Sequence, residues 1–218
     1  MNLLPLVPSA HPSAWVFEPD EAGHEEAIRA AFTRDQHICC FCGHMAPAWQ
    51  EVFHLDGDHD NWGDDNLVTA CTLCHGVQHL GRSTVEQEQV LIWLPDMSQA
   101  ALNCLVRHIH LTLHAHGEPA HRGEPPRSEH PDVHAALRAY QVLEAEALTL
   151  ERRIHTCSPR ELGAALLDLS PYARTHQDQL LGGIRLLHRG RQFRDGRDVY
   201  PKILSAWAGT TGSRAKSA

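Results

Sequence analysis

Residues 54–74, HLDGDHDNWGDDNLVTACTLC, lead from a polar loop into a pair of cysteines and carry most of the information about the local structure. Three interpretations compete for this stretch. The alternating aspartates are typical of a calcium loop, and the histidine with the Asn-Leu pair is typical of a metal-dependent nuclease. The cysteines favour a structural zinc site. The residues that flank the stretch distinguish these alternatives.

The spacing of the cysteines favours zinc. Two C-x-x-C pairs are present, and 28 residues lie between them, which is enough for an enclosed hairpin. Two such turns close a tetrahedral zinc site with no open coordination position. We therefore predict that structural Zn²⁺ is bound by four thiolates, those of Cys39, Cys42, Cys71 and Cys74. Three cysteines remain, an odd number that argues against disulfides, and we expect Cys104 and Cys157 to be buried free thiols.

The calcium interpretation fails at two positions. An EF-hand loop that began at Asp56 would need a glycine at its sixth position and a glutamate at its twelfth. The sequence has Asn61 and Leu67 there. The aspartates are better explained as an acidic, solvated turn. Whether Asp56 or Asp58 supports a second metal is left open by the sequence.

Composition and charge limit the class of protein. The chain has 218 residues, 42% of them hydrophobic, which fits a globular protein. The net charge of −8 is uneven: residues 1–149 carry 7 Lys and Arg against 21 Asp and Glu, whereas residues 150–218 carry 12 against 6. A polyanion such as DNA would be repelled by the first part. This argues against a further class of function, that of a zinc-containing DNA-binding module. An acidic peptide partner would suit the second part.

The termini and the hydropathy favour a cytoplasmic location. No apolar run approaches the roughly 18 residues that a membrane span needs, and we expect no direct membrane insertion. The N-terminal stretch MNLLPLVPSAHPSAW lacks the basic start of a signal peptide.

Periodicity predicts a first region with both strands and helices. The expected elements are a short strand at 15–17, a helix from Asp20 to about Asp35, strands around 49–55 and 90–94, and a helix from Ser98 to about His114. Another helix is expected to begin near Cys74. On the helix from Ser98, we expect His110 and His114 to be exposed.

The remainder of the chain is predicted to be helical. Residues 117–132 are rich in proline and glycine and are predicted to be a linker. Helices are predicted at 133–153, 158–169, 175–188 and 200–208. The expected fold is therefore α+β, with a zinc module at 15–116, the linker at 117–132 and a C-terminal helical region at 133–209.

The hairpin between two C-x-x-C turns, followed by a helix, resembles the HNH (ββα-metal) endonuclease module. The resemblance implies that His54 matches the general base, Asn66 the structural asparagine and His75 a metal ligand. The pattern calls for aspartate where this chain has Phe53, and a phenyl ring cannot bind a metal. We therefore expect an HNH-like scaffold without catalysis. The alternative is a divergent HNH endonuclease that cleaves DNA with a divalent metal.

A resemblance that covers most of the chain rests on four runs: AFTRDQHICCFCG, LDGDHDN, NLVTACTLC and VLIWLPDMSQAALNCL. Together they resemble the IcmJ/DotN family of type IVB (Dot/Icm) bacterial secretion systems. The resemblance implies a non-enzymatic, zinc-containing adaptor of the coupling complex, at the inner-membrane face. It also implies zinc ligation by the four paired cysteines.

The partners implied by this resemblance are proteins. They are the C-terminal extension of a DotL-like coupling ATPase, a DotM-like subunit and IcmS/IcmW-like adaptors, with substrate proteins presented to the channel. No nucleic acid is expected. A candidate surface for an acidic helical tail is an arginine run on a predicted helix, although an ordinary solvated face would have the same composition; the run comprises Arg185, Arg189, Arg191, Arg194 and Arg197.

Overall fold

The computed structural model describes residues 3–15, 23–121 and 126–214, with side chains described as far as residue 209. Its architecture is α+β, as predicted. The strands form three two-stranded antiparallel sheets; they are β1 (Gln50–His54), β2 (Leu67–Cys71), β3 (Gln89–Trp93), β4 (Ile184–His188), β5 (Phe193–Arg194) and β6 (Arg197–Asp198). The helices are α1 (Glu25–Arg34), α2 (Thr72–His75), α3 (Val85–Glu88), α4 (Gln99–Ala115), α5 (Pro131–Ile154), α6 (Pro159–Leu167), α7 (Pro171–Thr175), α8 (Gln177–Leu180) and α9 (Tyr200–Arg214).

The first sheet is the predicted hairpin between the cysteine pairs. Strand β1 pairs with β2, with Phe53 opposite Val68 and His54 opposite Leu67. Helix α1 packs against β2, and its C-terminal neighbour Asp35 accepts a hydrogen bond of 2.8 Å from the backbone N–H of Thr69. The hairpin is therefore stabilised by its contacts with α1 and Asp35 as well as by the hydrogen bonds between its two strands.

Two predictions at the start of the chain concern residues outside the described ranges. Asp20, the expected N-cap, is one of them, and α1 begins instead after His24, whose side chain makes no capping hydrogen bond. Of the strand predicted at 15–17, the structure describes Trp15 alone, in a bend.

The helix predicted at 175–188 is wrong. The chain forms the two short helices α7 and α8, and then β4, which pairs with β3 so that Leu91 lies opposite Leu186. The break falls at Gly183, whose φ of +97° ends helical geometry. The run Ile-Arg-Leu-Leu-His is apolar enough for either structure, and the unpaired edge of β3 supplies the partner that makes it a strand.

This change also corrects the position of the arginine run. None of its members lies on a helix; they occupy β4, the turn after it and the β5–β6 hairpin. Arg185 is half-buried and donates to the carbonyl of Met97 at 2.6 Å, and Arg194 lies 3.2 Å from Glu51 in an ion pair. Of the five, Arg197 alone is exposed.

Helix α4 connects the early and late parts of the chain. Ser98 caps it as predicted, by accepting from the backbone N–H of Ala101 at 3.2 Å. The buried side chain of Gln99 accepts from the N–H of Leu186 and donates to its carbonyl, at 2.8 and 2.9 Å. His110 is fully buried, with Nδ1 2.8 Å from the hydroxyl of Tyr200, so its predicted exposure is wrong. Helix α4 thus packs against elements from both sides of the predicted linker.

The predicted linker is partly ordered. Glu118 is buried, and its carboxylate accepts hydrogen bonds from the backbone N–H groups of Arg127 and Ser128 at 2.8 and 2.7 Å. Residues 122–125 lie outside the described ranges. The division into 15–116 and 133–209 stays a prediction. Across the described residues, no helix combines the length and hydropathy that crossing a membrane requires.

Candidate metal centre

The two cysteine pairs meet at one point. The sulfur atoms of the four predicted ligands all lie within 4.8 Å of one another, and those of Cys42 and Cys71 are 3.7 Å apart. Cys42 precedes β1, Cys71 ends β2 and Cys74 lies in α2. Four close, largely buried thiols could bind a metal such as zinc.

The local backbone explains the first turn. The N–H of Cys39 donates to the carbonyl of His44, and the N–H of Gly43 donates to the carbonyl of Cys39, both at 2.9 Å. Gly43 has a φ of +71°, a left-handed conformation that glycine adopts without steric cost. The C-x-x-C-G order in the sequence therefore has a geometric cause: glycine closes the turn that presents the two sulfurs.

The electrostatics of the four thiols favour a bound cation. Interactions with the sulfurs of Cys39 and Cys42, together with burial, raise the pKa of both Cys71 and Cys74 well above that of an ordinary thiol. Each further thiolate is disfavoured by those already present. A dication offsets this repulsion, so the donor set fits a closed four-thiolate zinc site.

Helix α4 covers the cysteine cluster with hydrogen-bond donors. Nη1 of Arg107 lies 3.4 Å from the sulfur of Cys42, and Nδ2 of Asn103 donates to the sulfur of Cys74 at 3.3 Å. Arg107 also donates to Cys104, which is half-buried rather than buried as predicted. No local pattern in the sequence indicated these contacts, because about thirty residues separate α4 from the second cysteine pair.

A second group of metal-ligating side chains lies next to the first. One nitrogen from each of His59, His75 and His79 falls within 4.8 Å of the others, and all three residues are buried. Sequence reasoning selected His75 alone. The H-x-x-x-H spacing of residues 75–79 was the available signal, because residues four apart share one side of a helical turn.

Buried polar partners orient this histidine cluster, which we define as His59, His75 and His79. Nδ1 of His75 lies 2.8 Å from the carboxylate of Glu51, on β1. Nδ1 of His59 lies 3.1 Å from the carbonyl of Gly57. Burial lowers the pKa of His59 to about 4 and that of His79 well below the ordinary value, so both rings are neutral at pH 7.

His54, the residue matched to a general base, lies beside the cluster. Its ring centre is 4.4 Å from that of His59, and neither of its nitrogens has a hydrogen-bond partner. Burial lowers its pKa to about 4. Phe53 points into the core, with its ring centre 4.6 Å from that of Phe41, so no carboxylate stands where the nuclease pattern needs one.

Asn66 has a structural place in the loop. Its Oδ1 accepts from the N–H of Asp56 at 3.0 Å, and its Nδ2 donates to the Asp56 carboxylate and to the carbonyl of Asn61, both at 2.9 Å. The Asp56 and Asp58 carboxylates also accept backbone N–H groups two residues ahead, at 2.8 and 3.1 Å. Within the described ranges, neither aspartate belongs to a group of three side chains that could hold an ion.

Comparison with known proteins identifies a relative. The chain is 27% identical over 187 residues to the type 4 apparatus protein DotN of Legionella pneumophila, an alignment that covers 81% of this chain and 75% of that protein. This similarity supports the resemblance to the IcmJ/DotN family. The resemblance predicted from the four sequence runs is thus confirmed. No family model matches the chain. The HNH-like character of the module stays a prediction.

Proposed function

We propose that the protein is a component of a Dot/Icm type IV secretion apparatus. The observation that carries this proposal is the 27% identity to DotN, spread over 81% of the chain. An alignment of that extent includes the hairpin, α4 and much of the C-terminal part, rather than the cysteine turns alone, which occur in many unrelated proteins.

Within the apparatus, the proposed role is that of a non-enzymatic, zinc-containing adaptor. Zn²⁺ would be held by Cys39, Cys42, Cys71 and Cys74. Four thiolates complete a tetrahedral shell, so this ion would have no open position for water or a substrate. Its contribution would be structural: it would join the turn before β1 to the end of β2 and to α2.

The proposed partners are other proteins of the coupling complex. The chain would dock on the C-terminal extension of a DotL-like coupling ATPase, with a DotM-like subunit and IcmS/IcmW-like adaptors, at the cytoplasmic face of the inner membrane. The positive charge of residues 150–218 supports an acidic partner. Within the arginine run, Arg197 is exposed and Arg191 is half-buried. Other cations of residues 150–218 are also exposed, namely Arg152, Arg153, Arg160, Arg174 and Lys202.

An affinity purification from the native host tests this proposal. We expect the tagged protein to recover a coupling ATPase with its companion subunits, as identified by mass spectrometry. The double variant Arg191→Glu/Arg197→Glu should reduce that recovery, whereas Arg138→Glu, an exposed arginine on α5, should leave it unchanged. Purification of the protein alone, or with nucleic acid, would contradict the proposal.

One observation keeps the nuclease alternative testable. His54 is buried with two free nitrogens beside a group that could bind a metal. Divalent-metal-dependent nicking of plasmid DNA that disappears in His54→Ala would support a divergent HNH endonuclease. Because Phe53 is packed in the core, we expect no such activity.

A further inference from the structure

We infer that His59, His75 and His79 form a second metal site, distinct from the four cysteines, for a divalent transition-metal ion of the zinc class. The three ligand nitrogens lie within 4.8 Å of one another, and the residues are 4%, 9% and 2% exposed. Imidazole nitrogens suit zinc, copper, iron and nickel, whereas magnesium and calcium prefer oxygen. The inference does not depend on the proposed function.

The hydrogen bonds fix which nitrogens are free to bind an ion. Nδ1 of His75 faces the Glu51 carboxylate, and Nδ1 of His59 faces the carbonyl of Gly57; both acceptors require a proton on Nδ1. In a neutral ring, the lone pair is then on Nε2. Metal-binding histidines characteristically donate their second N–H to a carboxylate or a backbone carbonyl, which is the arrangement at both residues.

The lone pairs on these Nε2 atoms have few hydrogen-bond donors among the protein atoms around them. Nε2 of His59 is buried and has no hydrogen-bond partner. Nε2 of His75 lies 3.1 Å from Nε2 of His79, and two lone pairs that face each other at this distance repel unless a proton or a cation lies between them. Buried polar atoms without partners are uncommon in native proteins. An ion among the three Nε2 atoms would satisfy all three lone pairs at once.

The backbone holds the three residues in place before any ion binds. His75 ends α2, and His79 follows the 3₁₀ helix Gly76–Gln78, so the two side chains are one turn apart. His59 comes from the polar loop, and its N–H donates to Ser13 Oγ at 2.9 Å. The ion would therefore attach this loop to the helical turn that also carries Cys74.

The coordination would differ from that of the cysteine site. Three protein ligands leave a fourth position, which in zinc proteins is filled by water, by substrate or by a further side chain. The ring of His54, whose nitrogens have no partner, has its centre 4.4 Å from that of His59. Of the cysteine site and the histidine site, the latter is thus the one with a coordination position at which a ligand can exchange.

Zinc content of the purified full-length protein tests the inference. After saturation with Zn²⁺ under reducing conditions and removal of weakly bound metal, we expect about two ions per chain in the wild type, one at each site. His59→Gln and His79→Gln should each retain about one. The matched control is His110→Gln, a buried histidine outside both sites, which should retain both ions.

Two outcomes would overturn the inference. One is a saturated wild-type protein that holds a single ion. The other is a second ion that persists in the double variant His59→Gln/His79→Gln but is lost in His130→Gln. The latter result would assign the ion to the exposed group of His116, His130 and Asp132.

X-ray absorption at the zinc edge of the wild-type protein keeps the test decisive if a variant fails to fold. Two sites predict a mixed shell of nitrogen and sulfur ligands, whereas the cysteine site alone predicts sulfur only. A sulfur-only spectrum at saturation would refute the histidine site. Because neither measurement involves a secretion partner, failure here would leave the adaptor proposal standing, and the reverse is also true.

Discussion

The Oε2 atom of Glu51 lies 2.8 Å from Nδ1 of His75, and both side chains are almost entirely buried. Burial alone would raise the pKa of Glu51, but the adjacent His75 and Arg194 together lower it to about 2. The carboxylate therefore stays ionised at neutral pH and holds the proton of His75 on Nδ1. In this way a residue on β1 controls which nitrogen α2 presents to the histidine cluster.

Glu51→Gln should weaken metal binding at the histidine cluster. The amide keeps the shape of the side chain and an acceptor oxygen but loses the charge that orients His75. Loss of such a partner typically costs about 10- to 100-fold in metal affinity. A competitive titration with a zinc indicator would measure this change, with Glu151→Gln, an exposed position on α5, as the control. Equal affinities in both variants would show that Glu51 does not orient a ligand.

Cys42→Ala should destroy the folded state of the hairpin region. Structural zinc contributes on the order of 10 kcal/mol to the folding of small zinc modules, comparable with the whole free energy of unfolding of a domain. We expect cooperative thermal melting to be lost along with the bound zinc. Cys157→Ala, a free cysteine outside the cluster, is the control and should melt like the wild type. Cooperative melting of Cys42→Ala without zinc would disprove the structural role.

Arg107→Gln should make the cysteine site easier to strip of metal. The guanidinium donates to the sulfur of Cys42 at 3.4 Å, and its positive charge offsets part of the negative charge of four thiolates around a dication. We expect a chelator to remove zinc from the variant about 10- to 100-fold faster than from the wild type. This is roughly the effect of removing a hydrogen-bond partner of a metal ligand. Arg138→Gln, which is exposed on α5, is the control. Identical rates of zinc release would rule out this role for Arg107.

The sequence was sufficient for features that depend on spacing. The two C-x-x-C pairs predicted the four-thiol cluster, and the apolar run after Gln89 predicted β3. It was not sufficient where distant segments meet. Arg107 reaches the cysteines because α4 packs on α2, and no local pattern encodes that contact. His59 joins the histidine cluster only because the loop folds back over residues 75–79.

The error over residues 175–188 has a different cause. The segment contains helix-forming residues at first, and α8 does form there, directly after α7. The next residues, Ile184–His188, are compatible with a strand or a helix, and the choice depends on β3, which is more than ninety residues earlier in the chain. Local preference is weak evidence when a buried strand edge needs a partner.

His188, at the end of β4, should make the protein sensitive to mild acid. It is fully buried, and burial lowers its pKa to about 4 from an ordinary value of 6.5. Because His188 binds a proton more readily in the unfolded state, acid favours unfolding. The free energy of unfolding is therefore highest above pH 6.5 and decreases as the pH falls toward 4. At about 1.4 kcal/mol per pH unit, the loss is on the order of 3 kcal/mol.

Urea unfolding of the wild type and of His188→Gln between pH 7 and pH 4 would measure this dependence. The amide can still accept the hydrogen bond that the N–H of Gly190 donates to Nδ1 of His188, at 3.1 Å. We expect the variant to lose less stability than the wild type over this interval. His108→Gln, at an exposed position on α4, should show the wild-type slope. Parallel curves for all three proteins would exclude His188 as a source of acid sensitivity.

Gly183→Ala should destabilise the protein, because this glycine joins α8 to β4 in a conformation and a space that exclude a side chain. Its φ is +97°, and an added Cβ would lie 2.7 Å from the ring of Trp93 on β3. The left-handed backbone conformation would cost an alanine about 1–2 kcal/mol, and the contact of its Cβ with Trp93 would cost about 1–3 kcal/mol more. Gly209→Ala is the matched control, since it lies in α9 with open space around it and should stabilise the helix by about 0.5–1 kcal/mol. If residues 175–188 instead formed one helix in solution, the order would reverse, and Gly183→Ala would raise the free energy of unfolding.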